Sequence, residues 1–201
     1  MLTIRQFASI PGGTDLTGLY RARVGDYPKF FKMDTACKLG FLLAEQLADE
    51  PRFTPREDRA VLMFSTCGSL CNDRHYEETV REFPSPSLFV YTLPNIITGE
   101  IAIRNKYEGE TSAYVLERFD PETVVALVEQ AFQDTVTASA LCGWVDCRAD
   151  DDFTAFAFLV ERDGTGKEFN VENLYGTVNQ WDQAEADRRP EPGRDDPGRH
   201  R

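Results

Sequence analysis

Two short, almost continuous apolar segments constrain the fold more than any other feature of the sequence. They are RAVLMFS at residues 59–65 and SALCGWVDC at residues 139–147. Runs of this length and composition are typical of strands that are buried on both faces of a sheet. Such a sheet needs helices on both sides, so the sequence predicts an α/β protein with a mostly parallel central sheet.

The segments between these strands have helical patterns. DTACKLGFLLAEQLAD has apolar residues at helical spacing, with Asp34 or Thr35 as a plausible N-cap. DRHYEETVREF predicts a charged helix that starts near Asp73. PETVVALVEQAF predicts another, with Asp120 as its cap and Pro121 at its first position. Strands and helices therefore alternate along the chain.

Two further segments predict strands. LTIRQFASI alternates apolar and polar residues, and FTAFAFLVER follows the second apolar segment after a short acidic link. Because that link is short, we expect residues 139–147 and 153–162 to form an antiparallel pair. Three consecutive carboxylates in the link, Asp150, Asp151 and Asp152, could gather a hard cation, but a solvated loop is the favoured interpretation.

Composition predicts one folded domain at residues 1–181 and a disordered charged tail at residues 182–201. The tail has three prolines, mixed charge and almost no apolar residues, so it cannot offset the entropy of ordering. An electrostatic docking tail is the alternative interpretation.

Charge and cysteine content limit the classes of function. The net charge of −12 argues against nucleic acid and anionic membranes as partners. The chain contains no run of 18 apolar residues, and its first residues lack the pattern of a signal peptide. Five cysteines without a compact disulfide spacing fit a reducing compartment. We therefore expect a cytoplasmic protein.

The motifs for metal or cofactor chemistry are weak. Cys67, Cys71 and His75 have helical spacing, but a Gly-Ser pair places the two cysteines in a predicted turn and a fourth ligand is missing, so we predict no metal site. His75 is interpreted as a surface residue at the start of an exposed helix. Cys142 and Cys147 lie on a predicted buried strand and are expected to be inert. GTGK lacks the other residues of a phosphate-binding loop, so no cofactor is predicted.

One segment has a family resemblance. PSLFVYTLPNIITGEIAIRNKYEGETSAYVLE resembles the N-terminal half of β-ketoacyl-acyl-carrier-protein synthases, the condensing enzymes of the thiolase fold. YPKFFKMDTACKLGFLLAEQL and ALCGWVDC resemble other parts of that half, so the likeness covers roughly Met1 to Arg162. Within that family, the sequence most resembles the short synthase-like proteins of aryl-polyene and flexirubin-type pathways. The matching positions are Leu93, Pro94, Asn95, Gly99, Ile103, Arg104, Gly109, Glu110 and Thr111.

The resemblance implies a thiolase-like half-fold without the family's catalytic residues. The position of the nucleophilic cysteine falls near Arg118, where there is no cysteine, serine or glutamine, and the two catalytic histidines belong to the other half. It therefore implies a non-catalytic partner or chain-length-type subunit in fatty-acid or polyketide (polyene) biosynthesis. The alternatives are an acyltransferase that uses a displaced cysteine, Cys67 or Cys142, and a free-standing module that binds acyl groups or acyl carrier protein.

The resemblance also implies surfaces for partners. A homodimer is the first expectation, and a heterodimer with an intact ketosynthase is the alternative. The apolar residues of the predicted interface could instead pack in the chain's own core, since both roles need the same residue types. Acyl carrier proteins are acidic, so basic residues could contact them; salt-bridged surface residues are the alternative. The predicted carrier contacts are Arg104, Lys106 and Arg118, and the predicted interface residues are Ile96, Ile97, Ile101, Ile103, Tyr114, Val115 and Leu116.

Overall fold

A single mixed sheet forms the middle of the molecule. The computed structural model describes residues 1–48 and 52–186, and side chains as far as residue 181. Within these ranges the strands are β1 (Leu2–Ile10), β2 (Arg59–Ser65), β3 (Thr111–Val115), β4 (Ser139–Cys147), β5 (Phe153–Arg162) and β6 (Lys167–Glu168). The helices are α1 (Leu16–Arg23), α2 (Thr35–Leu47), α3 (Leu70–Val80), α4 (Pro86–Val90), α5 (Ile96–Asn105), α6 (Pro121–Ala131) and α7 (Val171–Ala186), with a 3-10 helix at Pro28–Lys32.

The order of strands across the sheet is β3-β2-β4-β5-β1-β6. Strand β2 pairs in parallel with β3 and β4, whereas β5 is antiparallel to both β4 and β1. Strands β1 to β4 therefore run in one direction, and β5 and the short β6 run in the other. The predicted fold class is confirmed, including the antiparallel pair of β4 and β5.

The continuous apolar composition of β2 follows from its position between two cores. Its side chains alternate between faces. Val61 and Met63 pack into the core that contains α2 and α5, whereas Leu62 and Phe64 pack into the core that contains α6 and α7. Because both faces are covered by helices, neither face of this strand has polar positions in its centre.

The predicted helix starts are largely confirmed. The Asp34 carboxylate accepts from the Cys37 amide at 3.1 Å and caps α2, and Asp120 caps α6 in the same way ahead of Pro121. Helix α3, however, starts at Leu70 and not near Asp73. The positive φ of Gly68 turns the chain sharply after β2 and lets the helix begin early. The sequence prediction that placed Cys71 in a turn is therefore wrong.

The predicted tail boundary falls inside a helix. Helix α7 continues to Ala186, so residues 182–186 are helical. The rest of the predicted tail, residues 187–201, lies outside the described residues. Over the described part of the chain, none of the helices combines the length and the apolar character that crossing a bilayer requires.

Candidate functional site

The free side of β3 carries exposed apolar residues. This strand is the outermost one at its end of the sheet. The turn at Gly68 packs against its last residue: a β-carbon at Gly68 would lie 3.1 Å from Pro94 and 3.4 Å from Val115. Val115 is 57% exposed and Leu93, beside Pro94, is 58% exposed. We call Leu93, Pro94 and Val115 the β3-edge surface, because together they cover the corner between β3 and the α4–α5 connection.

A small cavity lies beneath this surface, between the end of β2 and the start of α2. Its volume is about 30 Å³, which is room for one or two water molecules. An acyl chain does not fit into this space. The lining includes Asp34, Cys37, Ser65, Tyr91, Ile97 and Tyr114.

The polar groups near the cavity have partners within the chain. The buried Glu100 carboxylate accepts from the Tyr91 hydroxyl at 3.1 Å and lies 2.8 Å from the Lys29 ammonium. Burial raises the pKa of the Cys37 thiol well above its usual range, and the nearby Asp34 carboxylate raises it further. Burial also raises the pKa of Asp34. Cys37 is therefore a neutral thiol at physiological pH and not a nucleophile.

A single carboxylate holds the turn between β2 and α3 against β4. Asp146 is buried and accepts from the Thr66 amide at 2.6 Å, from the Thr66 hydroxyl at 2.7 Å and from the Cys67 amide at 3.1 Å. It lies in the segment ALCGWVDC, which carried part of the family resemblance. Its role here is structural, because its oxygens accept hydrogen bonds from this turn.

The corner between β3 and α6 lacks a nucleophile. It consists of Leu116, Glu117, Arg118, Phe119 and Asp120, none of which carries a thiol or a hydroxyl group. Leu116 still continues the β-type pairing, since its amide donates to the Ser65 carbonyl oxygen at 2.9 Å. Arg118, where the family cysteine was expected, is exposed.

The two cysteines considered as displaced nucleophiles differ in their surroundings. Cys142 is completely buried in β4, and burial raises the pKa of its thiol far above the usual range. Its thiol cannot reach a substrate, so the alternative of Cys142 as a displaced nucleophile was wrong. Cys67 is partly exposed in the turn held by Asp146, and its sulfur lies 3.5 Å from the Thr66 hydroxyl oxygen.

The predicted interface residues fall into two groups. Ile97 and Ile101 are buried in this chain's own core, and a β-carbon at Gly40 of α2 would lie only 2.5 Å from Ile97. The interface prediction was wrong for these two, because they lie on the side of α5 that faces α2. Ile103 and Val115 are exposed, whereas Ile96, Tyr114 and Leu116 are partly buried.

Arg104 was predicted to contact a carrier protein, but in the structure its guanidinium is taken up by carboxylates and rings of its own chain. Its guanidinium donates to Glu45 at 2.9 Å and to Asp26 at 2.8 Å, and lies over the rings of Tyr27 and Phe53. Its side chain is only 10% exposed. Arg104 is therefore a packing residue, and the prediction for it was wrong.

The remaining predicted carrier contacts, Lys106 and Arg118, are exposed. Lys106 ends α5 in the left-handed conformation. For these two residues the contact stays a prediction.

Comparison with known proteins finds similarity in structure alone. No protein-family model and no curated protein matches the sequence. A solved ketosynthase (ApeO) in complex with its chain length factor (ApeC), from Xenorhabdus doucetiae, is similar over 82% of this chain and 80% of that chain, with 16% identity and a TM-score of 0.59.

Two further solved structures are similar in fold, again with low sequence identity. The ishigamide ketosynthase/chain length factor aligns with 81% of this chain, with 15% identity and a TM-score of 0.66. A β-ketoacyl synthase from Burkholderia phymatum aligns with 80%, with 10% identity and a TM-score of 0.58. This chain spans 62% and 59% of the lengths of those two chains.

These similarities define the architecture. The mixed sheet between two layers of helices has the fold of these solved ketosynthase, chain length factor and β-ketoacyl synthase structures, as the resemblance had predicted.

Proposed function

We propose that this chain is a non-catalytic ketosynthase-like subunit that pairs with an intact ketosynthase through the β3-edge surface. The observation that carries the proposal is the free, apolar edge of β3. A strand with one unpaired edge and exposed apolar side chains is a ready site for association, and chains that do not associate usually protect such an edge. Val115 and Leu93 are more than half exposed at that edge.

The arrangement at the β3–α6 corner supports the absence of catalysis. Acyl transfer through a thioester needs a nucleophile at an accessible position. The corner holds Arg118 and acidic residues, and the thiols of Cys37 and Cys142 are buried and neutral. The chain would depend on its partner for the reaction.

Charge and structural similarity favour a mixed pair over a pair of identical chains. Two of the similar structures are described as a ketosynthase with a chain length factor. Two copies of this chain would each bring a net charge of −12, and like charges oppose association. A homodimer is the second candidate. A free-standing acyl-binding module is a third candidate, but the cavity beneath the β3-edge surface, about 30 Å³, is too small to hold its acyl chain.

A chain-length-type role in fatty-acid or polyketide biosynthesis follows from this pairing. The acidic chain would repel an acidic carrier protein, so the carrier would dock on the partner. This chain would then complete the wall of the partner's acyl site. Polyene pathways are the proposed setting, by resemblance to the short synthase-like proteins.

The decisive experiment measures mass and acyl loading together. The chain is mixed with an intact ketosynthase, starting with any encoded beside it, and light scattering gives the mass of the complex. We expect a one-to-one complex, and acyl groups on the ketosynthase alone in intact-mass spectra. A chain that stays unpaired with every such ketosynthase, or that accepts an acyl group on Cys67, would contradict the proposal.

A further inference from the structure

Three side chains with metal-binding atoms meet at the edge of the sheet where β2 and β4 end. The Cys71 sulfur, a ring nitrogen of His75 and a carboxylate oxygen of Asp150 all lie within 4.8 Å of one another. The His75 and Asp150 atoms are 3.5 Å apart. The Cys147 thiol lines the same cavity as Cys71 but donates to the Ala149 carbonyl oxygen at 3.3 Å and is not one of these three.

Neighbouring elements of the fold bring these residues together. Cys71 and His75 are four residues apart on α3 and so lie on one face of that helix. Cys147 is the last residue of β4, and Asp150 lies in the turn that follows. Because β2 and β4 are parallel neighbours, the start of α3 and the end of β4 meet at the same edge. The hydrogen bonds of Asp146 to the β2–α3 turn hold this meeting point in place.

We propose that Cys71, His75 and Asp150 form a zinc site with a water molecule as the fourth ligand. One sulfur, one imidazole and one carboxylate are donors that Zn²⁺ takes, and three protein ligands with an open fourth position are a common zinc arrangement. With bonds of about 2.0–2.3 Å, tetrahedral ligand atoms lie about 3.3–3.8 Å apart. The separation of His75 and Asp150 already falls in that range, and the Cys71 sulfur lies within 4.8 Å of both.

The surroundings suit the charge that such a site would carry. One thiolate and one carboxylate balance the charge of a divalent ion. Arg74 and Arg148 line the same cavity as Cys71, and Arg148 is already paired with Asp152 at 2.7 Å. His75 and Asp150 are partly exposed, which gives the ion a route from solvent.

The sequence pattern pointed to a different set of ligands. Spacing grouped Cys67 with Cys71 and His75, and the site was rejected for want of a fourth ligand. In the structure Asp150, more than seventy positions along the chain, joins Cys71 and His75 in place of Cys67, and a water molecule would take the fourth position. Bound zinc would join α3 to β4 and stabilise the fold independently of any pairing.

The test uses the full-length, untagged and fully reduced chain, freed of metal by a chelator. Zinc affinity is measured in competition with a chromophoric chelator, and Co²⁺ replaces Zn²⁺ for spectroscopy. We expect one zinc per chain, a higher melting temperature with zinc, and the thiolate charge-transfer band and intense visible bands of tetrahedral cobalt. Cys71→Ser should weaken zinc binding at least about 100-fold and remove much of the thiolate band.

A matched pair of variants separates loss of a metal ligand from loss of a nearby negative charge. Asp150→Asn should weaken zinc binding at least about tenfold, whereas Asp151→Asn removes the same charge from the neighbouring exposed residue and should leave affinity within about twofold. Circular dichroism verifies that each variant is folded. Equal losses for the two variants, or a reduced chain that gives octahedral cobalt without a thiolate band, would overturn the site.

Discussion

The two ends of the sheet are finished in different ways. At one end β6 covers β1 with only two residues, Lys167 and Glu168, which are both charged and exposed. At the other end β3 has five residues, and its last residue, Val115, is apolar and exposed. Short, charged edge strands discourage pairing with other chains, and longer apolar ones permit it. The contrast is that one edge is closed by the chain itself, whereas the other is open and is the edge that we propose for the partner.

The largest expected effect is on assembly at the open edge. Val115→Asp would place an unpaired charge in the contact, which costs about 3 kcal/mol or more and so raises the dissociation constant at least about 100-fold. Val136→Asp is the control, because Val136 is 58% exposed, close to the 57% of Val115, but lies in the loop before β4. Sedimentation velocity over a range of concentrations measures both. Equal effects of the two variants would mean that the partner does not use β3.

A second pair of variants compares how firmly each edge strand is attached. A β-carbon at Gly109 would lie 2.4 Å from the Arg59 carbonyl oxygen, and one at Gly166 would lie 2.2 Å from that of Ile4. Gly109→Ala must displace β3 from central β2, so we expect a loss of about 2–4 kcal/mol in the free energy of unfolding. Gly166→Ala should cost about 1 kcal/mol, because two-residue β6 can detach. Denaturant melts measure the two losses. A larger loss for Gly166→Ala than for Gly109→Ala would contradict this comparison.

The end of α5, on the open side, gives a third test. Arg104→Lys keeps the charge but loses the planar contacts with Tyr27 and Phe53 and one of the two carboxylate partners, so we expect a loss of about 1–2 kcal/mol. Lys106→Arg, at an exposed position two residues away, should change stability by less than about 0.5 kcal/mol. Thermal melts measure both, and an unchanged Arg104→Lys protein would show that the guanidinium does not contribute to packing.

The smallest effect concerns the cavity below the open edge. The folded protein raises the pKa of Asp34, so ionisation of this group costs more in the folded than in the unfolded state. The wild type therefore loses stability as the pH rises from the ordinary aspartate pKa, about 3.9, through the raised value. Asp34→Asn keeps an N-cap and should be slightly more stable at pH 7, with the gain vanishing below about pH 3.9. Urea melts at several pH values measure this, and a less stable variant at pH 7 would refute it.

The sequence predicted correctly those elements that are determined by residues close together in the chain. Strand β2 was predicted to the residue, because seven apolar-dominated positions between turns leave little choice. Asp34 and Asp120 were predicted as caps because a cap bonds to amides only two or three residues away. Helix α5 was missed, since its β-branched isoleucines hide the helical spacing, although Ile97 and Ile101 lie one turn apart on the buried side.

Errors arose where the cause is distant in sequence. Arg104 looked like a surface charge because its partners Asp26 and Glu45 lie 78 and 59 positions away. The grouping of Cys71 with Asp150 depends on the parallel pairing of β2 with β4, which no local pattern contains. The fold class could be predicted from the alternation of strands and helices and from the family resemblance. The candidate site could not, because it depends on contacts between segments that only the folded chain brings together.

The pairing of β1 with β5 has a consequence for the time at which the protein can fold. Arg5 and Glu161, which are bonded across this pair, are separated by 156 positions. During synthesis β1 emerges first and waits for its neighbour until most of the chain has been made. Closure of so long a loop is slow, and an apolar strand left open in that interval can pair with the wrong chain. We therefore expect early folding to begin with β2, β3 and β4, and β1 to join the sheet only after β5 is available.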